Sequence, residues 1–150
     1  MVASQKLHTT EQIRNLAVVG HAGAGKTTLF EALLVQAGAI GSAGNIAKGT
    51  TVSDFIPQEK RLQHSLESAV MHLEHDGRYM NILDTPGYPD FSGRAMSVLP
   101  AVETAAVVVN AETGIELVTQ KMMDFASDRR LCRMIVLTRL TLRILICTDC

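Results

Sequence analysis

Cysteine is scarce, with three residues in a chain of 150, and three thiols cannot build the disulfide framework that stabilises small secreted domains. Cys147 and Cys150 form one Cys-x-x-Cys pair. No second pair and no histidine at ligand spacing accompanies it, which argues against a zinc or redox site. No apolar run reaches membrane-spanning length and no secretory h-region opens the chain, so neither a membrane span nor an export signal is expected. A formal net charge of −1 gives no electrostatic case for direct nucleic-acid or membrane-surface binding by this segment. There is no internal repeat. What remains is one domain's length of chain, 47% apolar and 19% charged, which suits a globular fold with both faces of a sheet covered and a cytoplasmic setting.

Against that background one octet carries most of the information. Gly20-His21-Ala22-Gly23-Ala24-Gly25-Lys26-Thr27 fits Gly, four residues, Gly-Lys-Ser/Thr, a loop whose successive backbone N–H groups close around phosphate oxygens. Leu16–Val19 reads as a buried strand entering it. Thr28–Ala37, with Leu29, Leu33 and Leu34 at helical spacing and Gly38 as a stop, reads as the helix leaving it. The helix start adds unpaired N–H groups and a positive dipole end. In this pattern Gly20 to Thr28 cradle a nucleotide's phosphates, Lys26 reaches the β- and γ-phosphates, and the Thr27 hydroxyl holds Mg²⁺.

The rest of the chain alternates strand and helix, which predicts an α/β three-layer sandwich of the P-loop NTPase type. The sheet is expected to be mostly parallel with one antiparallel strand, because Asp76-Gly77 is a hairpin signal between strand-like Ala69–Leu73 and Tyr79–Leu83. Gly38–Gly49 reads as a mobile loop and 53–67 as helical only in part. Asp90 is placed to cap a helix over Phe91–Leu99. Ala105–Val109 and Met134–Leu137 read as buried strands on either side of a helix within Ile115–Leu131. Met1–Arg14 reads as a polar lead-in, 15–137 as a partial nucleotide-binding domain, and 138–150 as an atypical tail.

Asp84-Thr85-Pro86-Gly87 follows the strand Tyr79–Leu83. A carboxylate at a strand's carboxyl end opposite a phosphate loop is where a further Mg²⁺-organising group belongs, and Gly87 lets the backbone approach a γ-phosphate. With Gly20-His21, Gly25-Lys26-Thr27-Thr28-Leu29 and Asp84-Thr85-Pro86-Gly87-Tyr88-Pro89-Asp90-Phe91, the chain resembles the GTP-binding domain of translational GTPases, most closely the elongation factor G-like branch, from about Thr10 to Leu137. The resemblance implies GTP/GDP and Mg²⁺ as ligands, GTP hydrolysis, and the ribosome as activating partner. It also implies a C-terminally truncated domain, since full-length members carry further domains.

Three departures from the family pattern bear on mechanism. Tyr88 stands where the family usually has a water-orienting histidine, and a phenol, with an ordinary pKa of about 10, exchanges protons poorly at neutral pH. Lys26, Gly87 and Tyr88 are therefore the expected catalytic set, with weak intrinsic hydrolysis. Second, the switch segment that supplies a Mg²⁺-binding threonine is degenerate. Ser65 aligns there without a gap, giving Thr27, Ser65 and Asp84 as the metal set, with Thr50 and Thr51 as rivals and His64 read as a solvated residue. Third, the guanine-selecting Asn-Lys-x-Asp is replaced by Thr138-Arg139-Leu140-Thr141-Leu142, the peptide obtained when codons for Asn-Lys-Ile-Asp-Ala are read one base out of frame. On that reading the sheet is left with an unpaired edge beside an aggregation-prone run, Leu142–Ile146. Two rival functions stay open: a P-loop ATPase or kinase, and an inactive remnant that binds nothing.

Overall fold

The computed structural model describes residues 8–53, 55–140 and 145–148. The start of the expected lead-in and residues 141–144 of the tail therefore lie outside the described residues. In chain order the elements are β1 (Ile13–Val19), α1 (Lys26–Gln36), α2 (Pro57–Leu62), β2 (Ala69–His75), β3 (Arg78–Asp84), α3 (Ser92–Val98), β4 (Thr104–Asn110), α4 (Leu117–Asp128), β5 (Cys132–Thr138) and β6 (Leu145–Thr148). They build one sheet ordered β2-β3-β1-β4-β5-β6.

The four inner strands run parallel, and β2 turns back against β3. Asp76 and Gly77 make that reversal with φ of 47° and 72°, the left-handed pair that a two-residue hairpin requires. β6 adds a second antiparallel pairing, against β5, with Met134 opposite Cys147. The edge of β5 that the sequence suggested would stay unpaired is therefore covered along Arg133–Val136. Cys132, which opens β5, is disulfide-bonded, a cross-link that the cysteine count did not suggest.

Side-chain alternation along the central strands sorts the core into two layers. Ala17, Val19, Ala105, Val107 and Val109 pack with Leu99 and with Val118, Met122 and Ala126 of α4 on one face. Val18, Val108 and Ile82 pack with Phe30 and Leu34 of α1 on the other. With helices on both faces, the inner strands are the near-continuous apolar runs that the sequence displays. The sheet's carboxyl ends thus point where β1 runs into α1 and β3 ends at Asp84.

Two local expectations change. Asp90 does not cap α3: a short 3-10 turn over Pro89–Phe91 comes first, and Phe91 occupies the cap position with no side-chain cap bond. Proline at the turn's first position has already set the backbone there, so no carboxylate is needed. The glycine-rich 38–49 segment is tied down rather than loose. The fully buried Glu31 of α1 accepts hydrogen bonds from Gly44 N and Val52 N, both at 2.6 Å.

Candidate functional site

β1 delivers the chain to Gly20 at the sheet's carboxyl edge, and the glycine-rich loop then turns it back into α1. Gly25 caps that helix with φ of 91°, a left-handed conformation that costs a residue bearing Cβ roughly 1–2 kcal/mol. Behind the turn, Lys26 folds back over the loop and donates from Nζ to the His21 carbonyl at 2.9 Å. Next to it, Thr27 Oγ1 donates to Asp84 Oδ2 at 3.0 Å across 57 residues of sequence. The sheet imposes this meeting: β1 and β3 are parallel neighbours with Val18 in register with Asp84. Thr85 Oγ1 donates to the Val18 carbonyl at 2.8 Å, clamping the two strand ends together.

Gly87 completes the frame. Its carbonyl accepts from Ala22 N at 2.9 Å, and a Cβ at position 87 would run into Lys26 Nζ and Ala22 N. The close approach that the sequence placed at a phosphate is thus, in this structure, an approach to the phosphate loop itself.

Burial sets the electrostatics. Lys26 is only 7% exposed, and desolvation pushes its ammonium from the usual 10.5 down to about 8, against opposing pulls from Asp84 and Glu116. A buried ammonium kept beside a buried carboxylate is costly unless an anion arrives to share it. The folded chain therefore disfavours protonated Lys26, and the associated stability is present above 10.5 and lost as pH falls through about 8. In nucleotide- and magnesium-free buffer, stability relative to the Lys26→Met variant should rise between pH 8 and 10.5. Urea titrations of the two proteins across that range check this, and parallel curves would refute it.

Around these groups lies a cavity of about 280 Å³. Its walls are Ala22, Gly23, Gly25, Lys26, Thr27 and Thr28 of the loop and α1, then Ile46, the run Gln63-His64-Ser65, Thr85, Gly87, Tyr88 and Arg139. Gly20, His21, Ala24 and Asp84 stand behind that lining as its frame. The His21 imidazole turns away towards Glu116, 3.5 Å from Nε2 to the carboxylate. Ser65 is brought to the cavity, whereas Thr50 and Thr51 are not among its lining residues. Thr51 is buried, and Thr50 Oγ1 accepts from Asn45 N at 2.9 Å. A wider depression of about 450 Å³ at the amino end of β1 is lined by Thr10, Ile13, Arg14, Asn15 and Glu103. Its carboxylate is taken up by Asn15, at 2.6 and 3.0 Å.

Sequence reasoning missed three contributors. His64 is half-buried rather than solvated, its ring centroid 4.4 Å from that of Tyr88. Thr138 Oγ1 donates to the Ala24 carbonyl at 2.7 Å, and Arg139 Nη2 reaches the Gly23 carbonyl at 3.5 Å. Thr138, the last residue of β5, and Arg139 after it thus brace the glycine-rich loop, through a hydroxyl and a guanidinium. Position alone could have suggested this, since ligands bind outside the carboxyl ends of parallel strands and these residues sit at one. The fully buried Glu59 of α2 was missed as well. It accepts hydrogen bonds from Ile56 N, Leu66 N and Glu67 N at 3.0, 2.8 and 3.0 Å, which fixes the segment carrying Gln63, His64 and Ser65. Proline at the first helical position and glutamate at the third were its sequence signal.

Comparison with known proteins agrees with this geometry. Residues 11–140 match the family model described as "Elongation factor Tu GTP binding domain". An elongation factor G-like protein of Mycobacterium tuberculosis is 41% identical over 128 residues, covering 85% of this chain and 18% of that protein. Peptide chain release factor 3 of Nitrosomonas eutropha is 40% identical over 126 residues, covering 81% of this chain and 24% of that one. A crystal structure of a Thermus thermophilus protein superposes with a TM-score of 0.81 at 40% identity, over 84% of this chain and 19% of that one. The chain thus spans about a fifth to a quarter of the length of these curated relatives.

Proposed function

The chain belongs to the elongation factor Tu GTP-binding domain family, and from that membership we propose that it binds GTP and GDP with Mg²⁺ and hydrolyses GTP as the nucleotide-binding part of an elongation factor G-like translation factor. The observation that carries this reading is the bond from Thr27 Oγ1 to Asp84 Oδ2 at 3.0 Å, beside a buried Lys26 in a glycine-rich loop. The loop's N–H groups and Lys26 neutralise the phosphate tail, and Gly87 holds the opposite wall against that loop. Tyr88 lies at the rim, 42% exposed. Catalysis of this kind rests on positioning and charge neutralisation, with no covalent intermediate.

The donor set suits Mg²⁺. Thr27, Asp84 and Ser65 offer hard oxygen atoms, and among the described residues no group of three His, Cys, Asp or Glu is placed to hold a metal ion. Mg²⁺ is commonly held by one or two protein oxygens together with phosphate oxygens and water. When bound it would neutralise charge that develops on the phosphates. Among the described residues no helix is long and apolar enough to cross a membrane. A cytoplasmic protein with the ribosome as activating partner is the setting this family reading supports.

The test is phosphate release from γ-labelled GTP by the purified chain, with unlabelled GTP or ATP as competitor. Release suppressed by GTP and not by equal ATP is expected. Equal suppression by ATP would favour a P-loop ATPase or kinase. No release and no competition would favour an inactive remnant.

A further inference from the structure

We propose that His64 orients the water that attacks GTP, a role the sequence pattern assigns to position 88. The inference rests on the GTP-hydrolysis reading and adds a residue that the sequence alone reads as solvated. His64 lines the same cavity as Lys26, Thr27 and Gly87, and the first two define the end where a γ-phosphate would lie. Its ring is pinned rather than free. Tyr88 lies against it with centroids 4.4 Å apart and a 46° tilt, and Phe91 flanks it at 6.4 Å. The fully buried Glu59 fixes the backbone on either side through Ile56, Leu66 and Glu67. A pre-set ring is what orienting a water demands, because a freely turning side chain would lose that order at each turnover.

The hydrogen bonding also fits. His64 Nδ1 stands 3.5 Å from the Ser65 carbonyl, the outer limit of a hydrogen bond, and because a carbonyl only accepts, the tautomer that uses this contact is the one with the proton on Nδ1. Nε2 then carries the lone pair and accepts a hydrogen bond from water. Thr27, Thr28, Gln63, Ser65, Thr85 and Tyr88 are the other uncharged polar side chains in the lining, and the hydroxyls of Thr27 and Thr85 are already given to Asp84 and the Val18 carbonyl. Ser65 is the expected metal ligand, and the Tyr88 ring serves as the surface against which His64 is held. In the reaction the water oxygen bonds to the γ-phosphorus as the bond to the bridging oxygen breaks. GDP leaves with that electron pair, and the water protons end on GDP and inorganic phosphate. His64 only fixes the water's direction.

Four forms of the full chain test the proposal: wild type, His64→Ala, His64→Phe and His64→Gln. Phenylalanine keeps the ring packing without nitrogen, and glutamine keeps an acceptor without the ring. GDP affinity should stay within about twofold in all four, while single-turnover GTP hydrolysis falls about tenfold or more in His64→Ala and His64→Phe. His64→Gln should recover most of the rate, since an amide can orient a water. A second readout is formation of the GDP–aluminium fluoride complex, which mimics the reacting phosphate and should weaken in His64→Ala and His64→Phe alone. If His64→Phe hydrolyses GTP and binds the fluoride complex like wild type, the ring only packs and the proposal is overturned, leaving the nucleotide site intact. A wild type that binds GDP but leaves GTP unhydrolysed overturns the hydrolysis reading, and this inference with it. A wild type that binds no nucleotide overturns the functional reading itself, and this inference with it.

Discussion

Lys26→Ala should weaken GDP and GTP binding by about a hundredfold to a thousandfold while leaving the fold at least as stable as before. Buried charge-assisted bonds of this type are worth about 3–5 kcal/mol when one partner is removed, and each 1.4 kcal/mol is tenfold in affinity. The stability half of the expectation has the opposite sign because Lys26, 7% exposed, is held in a setting that already pushes its ammonium down to about 8. Removing a desolvated cation relieves that cost, although the Asp84 carboxylate beside it loses a counter-charge. Fluorescent GDP titration and thermal melting of the same preparation measure the two halves. A variant that melts well below wild type would mean that Lys26 is a structural brace. An unchanged affinity would mean that the loop does not hold phosphates.

Glu59→Ala is expected to produce the largest loss of stability. The carboxylate is fully buried and accepts three backbone N–H groups, from Ile56, Leu66 and Glu67. Truncation strands those donors inside the protein at roughly 1 kcal/mol or more each, so about 3 kcal/mol in all. For a chain of this size that lowers Tm by about 6–12 °C. Gln58→Ala, on the exposed side of the same helix, should change stability by less than about 0.5 kcal/mol. Because Glu59 also fixes the backbone around His64 and Ser65, its loss should slow hydrolysis more than it weakens GDP binding. Calorimetric melting of the two variants decides the matter, and similar Tm values for both would contradict the account.

The site was legible where its logic is local. A glycine-rich turn, Lys26 and Thr27 follow one another along the chain, and Asp84 was placed by a simple rule about strand ends. The Asp76-Gly77 turn and the apolar runs of β4 and β5 were readable for the same reason. What escaped depends on tertiary arrangement. Glu31 and Glu59 look like solvated charges in sequence, yet each is buried because loop backbone N–H groups converge on its carboxylate. His64 has no periodicity to betray it and acquires its place only when Tyr88 folds against it. Asp90 had the right residue type for a cap, but Pro89 had already started a tighter turn. Thr138 and Arg139 stand at a strand's carboxyl end, which hints at the site, but their contacts are to the backbone carbonyls of Ala24 and Gly23, so residue type alone does not name the partners.

Isothermal titration of GDP into the intact chain, in buffer with Mg²⁺ and again with a chelator, tests the central claim most directly. Binding at one site per chain, weakened about tenfold or more when Mg²⁺ is withdrawn, is the expected result, since Thr27 and Asp84 are read as a pair that a cation joins. Absence of heat in both buffers, or one affinity indifferent to Mg²⁺, would contradict it.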